Sequence, residues 1–127
     1  MEKLFLLIDD DNITNLVNRK ILQDQFPTAT IVDFNVAKTA LDFVMNEFRK
    51  SKMFQIIIFL DINMPEISGW EVITILEKDA EFQYHLYLLT SSIDKVDKAK
   101  SEEFSSVLSF ISKPLTIQKI QHLNLNQ

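Results

Sequence analysis

Five short apolar runs recur along the chain, at Leu4 to Ile8, Ala29 to Phe34, Ile56 to Leu60, Leu86 to Leu89 and Val107 to Ile111. Each is about strand length and rich in branched or aromatic residues, so five strands are predicted. The run Ile56-Ile57-Ile58-Phe59-Leu60 does not alternate with polar residues, the pattern of a parallel strand covered on both faces. Between the runs, apolar positions recur with the helical period. They are Ile13, Leu16, Val17 and Ile21; Ala37, Ala40, Leu41, Val44, Met45 and Phe48; Ile73 and Leu76; Val96 and Ala99; and, after Pro114, Ile117, Ile120 and Leu123. Ser68-Gly69-Trp70-Glu71 has the form of a capping box, which starts the third helix with Ser68 as N-cap and places Trp70 in packing near that start. Strand then helix, five times over, is the order of an α/β fold: a parallel sheet with helices on both faces, joined by right-handed crossovers. Ligands in such sheets sit beyond the carboxyl ends of the strands, so the residues just after each run carry the interest.

At 127 residues the chain, residues 1–127, is expected to form one domain with one core and no output domain attached. Hydrophobic residues make up 46% and charged residues 24%, a globular balance without a low-complexity stretch. The net charge of −5, with scattered basic residues, argues against nucleic acid as a partner. The absence of cysteine removes disulfides, thiolate metal ligation and a cysteine nucleophile. A single glycine, Gly69, leaves no way to build a P-loop or a dinucleotide loop. The first apolar run is too short for a signal peptide or membrane span and runs straight into three aspartates. The expected location is therefore cytoplasmic, with no membrane contact.

The strand ends read Asp9-Asp10-Asp11, Asp61, Thr90-Ser91-Ser92 and Lys113-Pro114, all on the same rim. Carboxylates a few ångströms apart raise one another's pKa unless positive charge lies between them, and a divalent cation supplies it. Magnesium, or manganese in its place, suits the site because it takes oxygen ligands and keeps displaceable waters. A cation, a lysine ammonium and a hydroxyl together neutralise the oxygens of a transferring phosphoryl group, with Asp61 as the nucleophile that accepts it. Asp11 or Asn12 is expected to cap the first helix rather than bind metal. His85 and His122, remote from the acidic set in sequence, read as surface or strand-edge residues.

The segments LLIDDDN, FLDINMPEISG, LLTS and ISKPL, in this order and at these separations, closely resemble the receiver domain of two-component response regulators, over nearly the whole chain. The resemblance implies a flavodoxin-like, CheY-like fold with strand order 2-1-3-4-5, an order also found in the chemotaxis receiver. It makes Asp61 the phosphoacceptor, Asp9 and Asp10 the acidic pair, and Asn63 a metal ligand through its carbonyl. Asp10 would touch the metal directly and Asp9 act mostly through water. Thr90 would move to hold a phosphoryl oxygen, Lys113 would pair with the phosphoryl group through a loop whose bond to Pro114 is usually cis, and Phe110 matches an aromatic switch position. Asn63 and Ser92, flanking the site, would tune dephosphorylation. The implied partners are a histidine kinase or histidine phosphotransfer protein and a downstream protein that the sequence does not identify, the chain itself being a monomer or weak homodimer.

Taken singly, Thr90 reads better as an ordinary strand residue and Lys113 as a solvated lysine, while Phe110 reads equally as a core aromatic. Two other readings stay open: a magnesium phosphohydrolase of the haloacid dehalogenase type, which usually carries a second aspartate where Asn63 stands, and a receiver-like module that is never phosphorylated. The stretch 102–109 departs from the family in lacking the glycine that usually precedes the fifth strand. The last helix is short, since the sequence given runs only fourteen residues beyond Lys113.

Overall fold

The computed structural model describes residues 2–47, 53–91 and 94–125. Phe48 and Ser92 lie outside the described residues. Five strands, β1 (Glu2–Ile8), β2 (Thr30–Phe34), β3 (Phe54–Asp61), β4 (Tyr84–Thr90) and β5 (Val107–Ser112), alternate with five helices. The helices are α1 (Asn12–Gln25), α2 (Ala37–Glu47), α3 (Gly69–Asp79), α4 (Lys95–Ser101) and α5 (Ile117–His122). All pairings are parallel and the order is β2-β1-β3-β4-β5, the flavodoxin-like arrangement expected.

β3 lies at the centre of the sheet, and Ile56 to Asp61 are all buried, which is why that run carries no polar alternation. One side of the sheet packs Leu4, Leu6, Ile56, Ile58, Leu86 and Leu88 against α2 and α3, through Ala40, Val44, Val72 and Leu76. The opposite side packs Phe5, Leu7, Ile57, Phe59, Tyr87 and Leu89 with Leu22 of α1 and Ile120 of α5. At roughly 1.5–3 kcal/mol per fully buried large aliphatic or aromatic side chain, these two layers supply the main drive to fold. No helix among the described residues is long and apolar enough to cross a membrane.

α1 corrects one expectation. A helix forms over the periodic positions Ile13 to Ile21, as expected, yet the stripe Ile13, Leu16 and Val17 faces solvent, at 73%, 66% and 45% exposure. Asn15, Asn18 and Leu22 face the sheet instead. The cause is the backbone beneath: Asn15 Nδ2 donates to Asp9 O at 2.9 Å and to Phe34 O at 3.2 Å, at the ends of β1 and β2. Arg19 donates to Ile31 O at 2.9 Å and forms an ion pair with Asp33. Buried carbonyls need donors, which isoleucine and leucine lack. In α4, likewise, Val96 and Ala99 point outward and only Ser101 is buried.

Candidate functional site

The carboxyl ends of β1, β3, β4 and β5 converge on one rim. β1 stops at Ile8, and Asp9 follows it into a buried position, with its backbone N–H donating to Phe34 O at 3.0 Å. Asp9 Oδ1 accepts from the Asp11 N–H at 2.9 Å, which folds the acidic run back on itself. Asp10 is exposed at the mouth. Asp11 caps α1 by accepting from the N–H groups of Ile13 and Thr14, which holds its carboxyl below the ordinary range. The choice between Asp11 and Asn12 as cap is thereby settled for Asp11, while Asn12 accepts from Asn35 Nδ2 at 3.1 Å.

Asp61 ends β3, 4% exposed, and its Oδ1 accepts from the Asn63 N–H at 3.1 Å. Gly69 closes the loop that follows, donating its N–H to Ile62 O at 3.1 Å. A Cβ on Gly69 would come within 2.6 Å of Ile62 Cα and 2.8 Å of Asp61 O, so the close approach of α3 to the end of β3 requires glycine. Ser68 caps α3 by accepting from the Glu71 N–H at 3.3 Å. Trp70 packs near the helix start, stacked on Phe104 at 5.8 Å between centroids.

Lys113 reaches the pocket from the loop after β5. Its Nζ lies 2.6 Å from Asp9 Oδ2 and 3.5 Å from Asp61 Oδ2, its backbone N–H donates to Thr90 O at 2.7 Å, and its bond to Pro114 is cis. Burial lowers the lysine's pKa, but Asp9 and Asp61 outweigh it, and the net direction is upward. Asp61 is raised as well: burial pushes it up to about 6, with Asp9 and Asp10 adding to the rise, while the Asn63 N–H and Lys113 pull it down.

Carboxylate oxygens of Asp9, Asp10 and Asp61 all lie within 4.8 Å of one another. Three carboxylates facing one ammonium leave negative charge in excess. An all-oxygen donor set of this kind fits a hard divalent cation such as magnesium. Asn63 is exposed two residues beyond Asp61, to which its backbone N–H is bound.

Thr90 is fully buried at the end of β4, paired in register with Ser112 and one residue beyond the Leu89 that pairs with Asp61. Phe110, half-buried on β5, pairs with Leu88, so it shares the α3 side of the sheet with Thr90. His85 and His122 are exposed, away from the pocket. Asn15 and Lys119, whose side chains hold the loops carrying Asp9 and Lys113, were not among the predicted site residues. Their hydrogen bonds run to distant backbone carbonyls, which no local motif signals.

A family model described as "response regulator receiver domain" matches residues 5–124. A two component response regulator from Cytophaga hutchinsonii is 34% identical, with a TM-score of 0.84 over 99% of this chain and 98% of that one. The Vibrio cholerae chemotaxis protein CheY4 has a TM-score of 0.78 over 99% and 98% of the two chains at 16% identity, a likeness of fold. Stress response regulator protein 1 of Candida albicans is 34% identical over 77 residues, which are 60% of this chain and 25% of that protein's length. The match thus spans about a quarter of that curated relative.

Proposed function

Because the chain belongs to the response regulator receiver domain family of two-component signalling, we propose that Asp61 accepts a phosphoryl group from a phosphohistidine in a magnesium-dependent reaction. The observation that carries this reading is the meeting of Asp61, Asp9, Asp10 and Lys113 in one rim pocket, with carboxylate oxygens within 4.8 Å and the Lys113 ammonium 2.6 Å from Asp9. Asp61 Oδ attacks phosphorus, an O–P bond forms as the P–N bond to the donor imidazole breaks, and the imidazole keeps the electron pair and takes up a proton. Held by Asp9, Asp10, Asp61 and the Asn63 carbonyl, magnesium would neutralise phosphoryl charge. Lys113 binds a phosphoryl oxygen as its hold on Asp61 loosens. Thr90 supplies a hydroxyl to another oxygen, and Phe110, on the same side of the sheet, follows Thr90 between two states.

The donor in this reading is a histidine kinase or histidine phosphotransfer protein. Ile13, Leu16 and Val17 form an exposed apolar stripe that begins two residues beyond Asp11, beside the pocket mouth, where a donor must dock to present its imidazole. The signal then leaves through a change in binding to a downstream protein.

Incubation with magnesium and acetyl phosphate, followed by intact-mass measurement, tests the proposal. A single base-labile phosphoryl adduct, absent in Asp61→Asn, is the expected result. No adduct in the wild-type protein, or an adduct that persists in Asp61→Asn, overturns it; turnover of many phosphate esters would instead favour a hydrolase.

A further inference from the structure

We infer that Lys119 is a positioning residue for Lys113, setting the loop from which that lysine reaches the acidic pocket. The inference rests on the reading of Asp61 as phosphoacceptor for its consequence, though not for its geometry. Lys119 Nζ lies 2.8 Å from Ser112 O, 3.2 Å from Ser112 Oγ and 2.9 Å from Pro114 O. An ammonium has three N–H donors, and three acceptors meet them. Ser112 and Pro114 are the two neighbours of Lys113, so the ammonium bridges the chain immediately before and after it.

The direction of the side chain matters. A lysine near the end of a helix can serve that helix's own final carbonyls. In α5 those of Ile120 and Gln121 already accept from the Leu123 N–H, and Lys119 reaches the opposite way, into the loop that precedes the helix. With Ile120 buried against the sheet and the Lys113 N–H bound to Thr90 O at 2.7 Å, the loop is fixed from both sides. What remains free is the side chain of Lys113, and from this anchored backbone it meets Asp9 Oδ2 and Asp61 Oδ2. Hydrogen bonds from an ammonium are about twice as strong as neutral ones, which suits a clamp on a loop. Lys119 has no contact with Asp61 and acts only through Lys113.

Two measurements on the full chain decide the matter. The first is amide hydrogen exchange at Lys113 by NMR, in the wild type, Lys119→Met and Lys119→Arg. Exchange at Lys113 is expected to speed up about tenfold in Lys119→Met, with Leu6 and Ile58 unchanged, and to be largely restored in Lys119→Arg. The second is the rate of Asp61 phosphorylation by acetyl phosphate at saturating magnesium, with Lys119→Met introduced alone and together with Lys113→Ala. A residue acting through Lys113 slows the reaction about tenfold in the first background and less than twofold in the second. Unchanged exchange at Lys113, or the same loss in both backgrounds, overturns the inference. Should Lys119→Met fail to fold, Lys119→Gln, which keeps donors for the loop, takes its place with the same expectations at smaller size. If the wild type takes up no phosphoryl group, the phosphoacceptor reading falls while hydrogen exchange still decides whether Lys119 holds Lys113.

Discussion

Replacing Asp61 with asparagine should make the metal-free protein more stable at neutral pH. The carboxyl sits 4% exposed among other acids, and its pKa rises from an ordinary 3.8 to about 6, chiefly through burial. The folded state therefore holds the proton more tightly than the unfolded chain does. Below about pH 4 both states are protonated and the group adds no penalty. Between 4 and 6 the unfolded chain ionises first, and above 6 the folded state carries a buried charge whose cost is about 3 kcal/mol. Asparagine removes that charge and can still accept from the Asn63 N–H, while Lys113 loses the more distant of its two partners. The expected gain is about 2 kcal/mol at pH 7. Urea denaturation of both proteins, from pH 3.5 to 7.5 in chelator, measures the gap. It should vanish near pH 3.5 and open through pH 6. Magnesium at a hundredfold excess over its Kd stabilises a binding protein by about 2.7 kcal/mol, so where only the wild type binds it, the gap should close and slightly reverse in favour of the wild type. An Asp61→Asn variant that is no more stable at pH 7, or whose gain persists at pH 3.5, would refute the reasoning.

Gly69→Ala should cost about 1–2 kcal/mol, since overpacking against the backbone of Asp61 and Ile62 outweighs the helix propensity gained, and should slow phosphorylation about tenfold by shifting Asp61; thermal melts and acetyl phosphate labelling check both. Asn15→Leu should cost about 2 kcal/mol in urea denaturation, because the Asp9 carbonyl loses its buried side-chain donor while Phe34 O keeps only the Asp9 N–H. Leu16→Asp, at an exposed position, should leave stability within about 0.5 kcal/mol and labelling by acetyl phosphate unchanged, while transfer from a phosphohistidine protein slows about tenfold; equal rates from the protein donor would remove α1 as a docking surface.

The sheet was readable because its signals are local. Branched apolar runs mark each strand, and the unbroken burial of Ile56 to Asp61 matches the missing alternation in β3. Strand ends then point to the rim, which is how Asp9, Asp10, Asp61, Thr90 and Lys113 could be grouped before any coordinates. Alternation alone left the strand order open, and the order came with the family resemblance. The β3 and β4 boundaries run a residue or two beyond the apolar cores, through Phe54, Asp61, Tyr84 and Thr90, because ladder hydrogen bonds extend past the side chains that announce them.

The helix faces were harder to read, for a reason tied to the site. A 3.6-residue period says which side chains share a face but not which face turns inward. In α1 the decision falls to backbone carbonyls at the ends of β1 and β2, which must find donors once buried. Asn15 can reach the carbonyls of Asp9 and Phe34 only by facing the sheet, and that orientation turns Ile13, Leu16 and Val17 out to solvent. The hydrogen bonds that anchor the acidic end of β1 therefore also set an apolar stripe beside it. The pocket and the surface through which a donor would approach it are two consequences of one helix rotation, so a change that turned α1 to bury its apolar residues would dismantle both together.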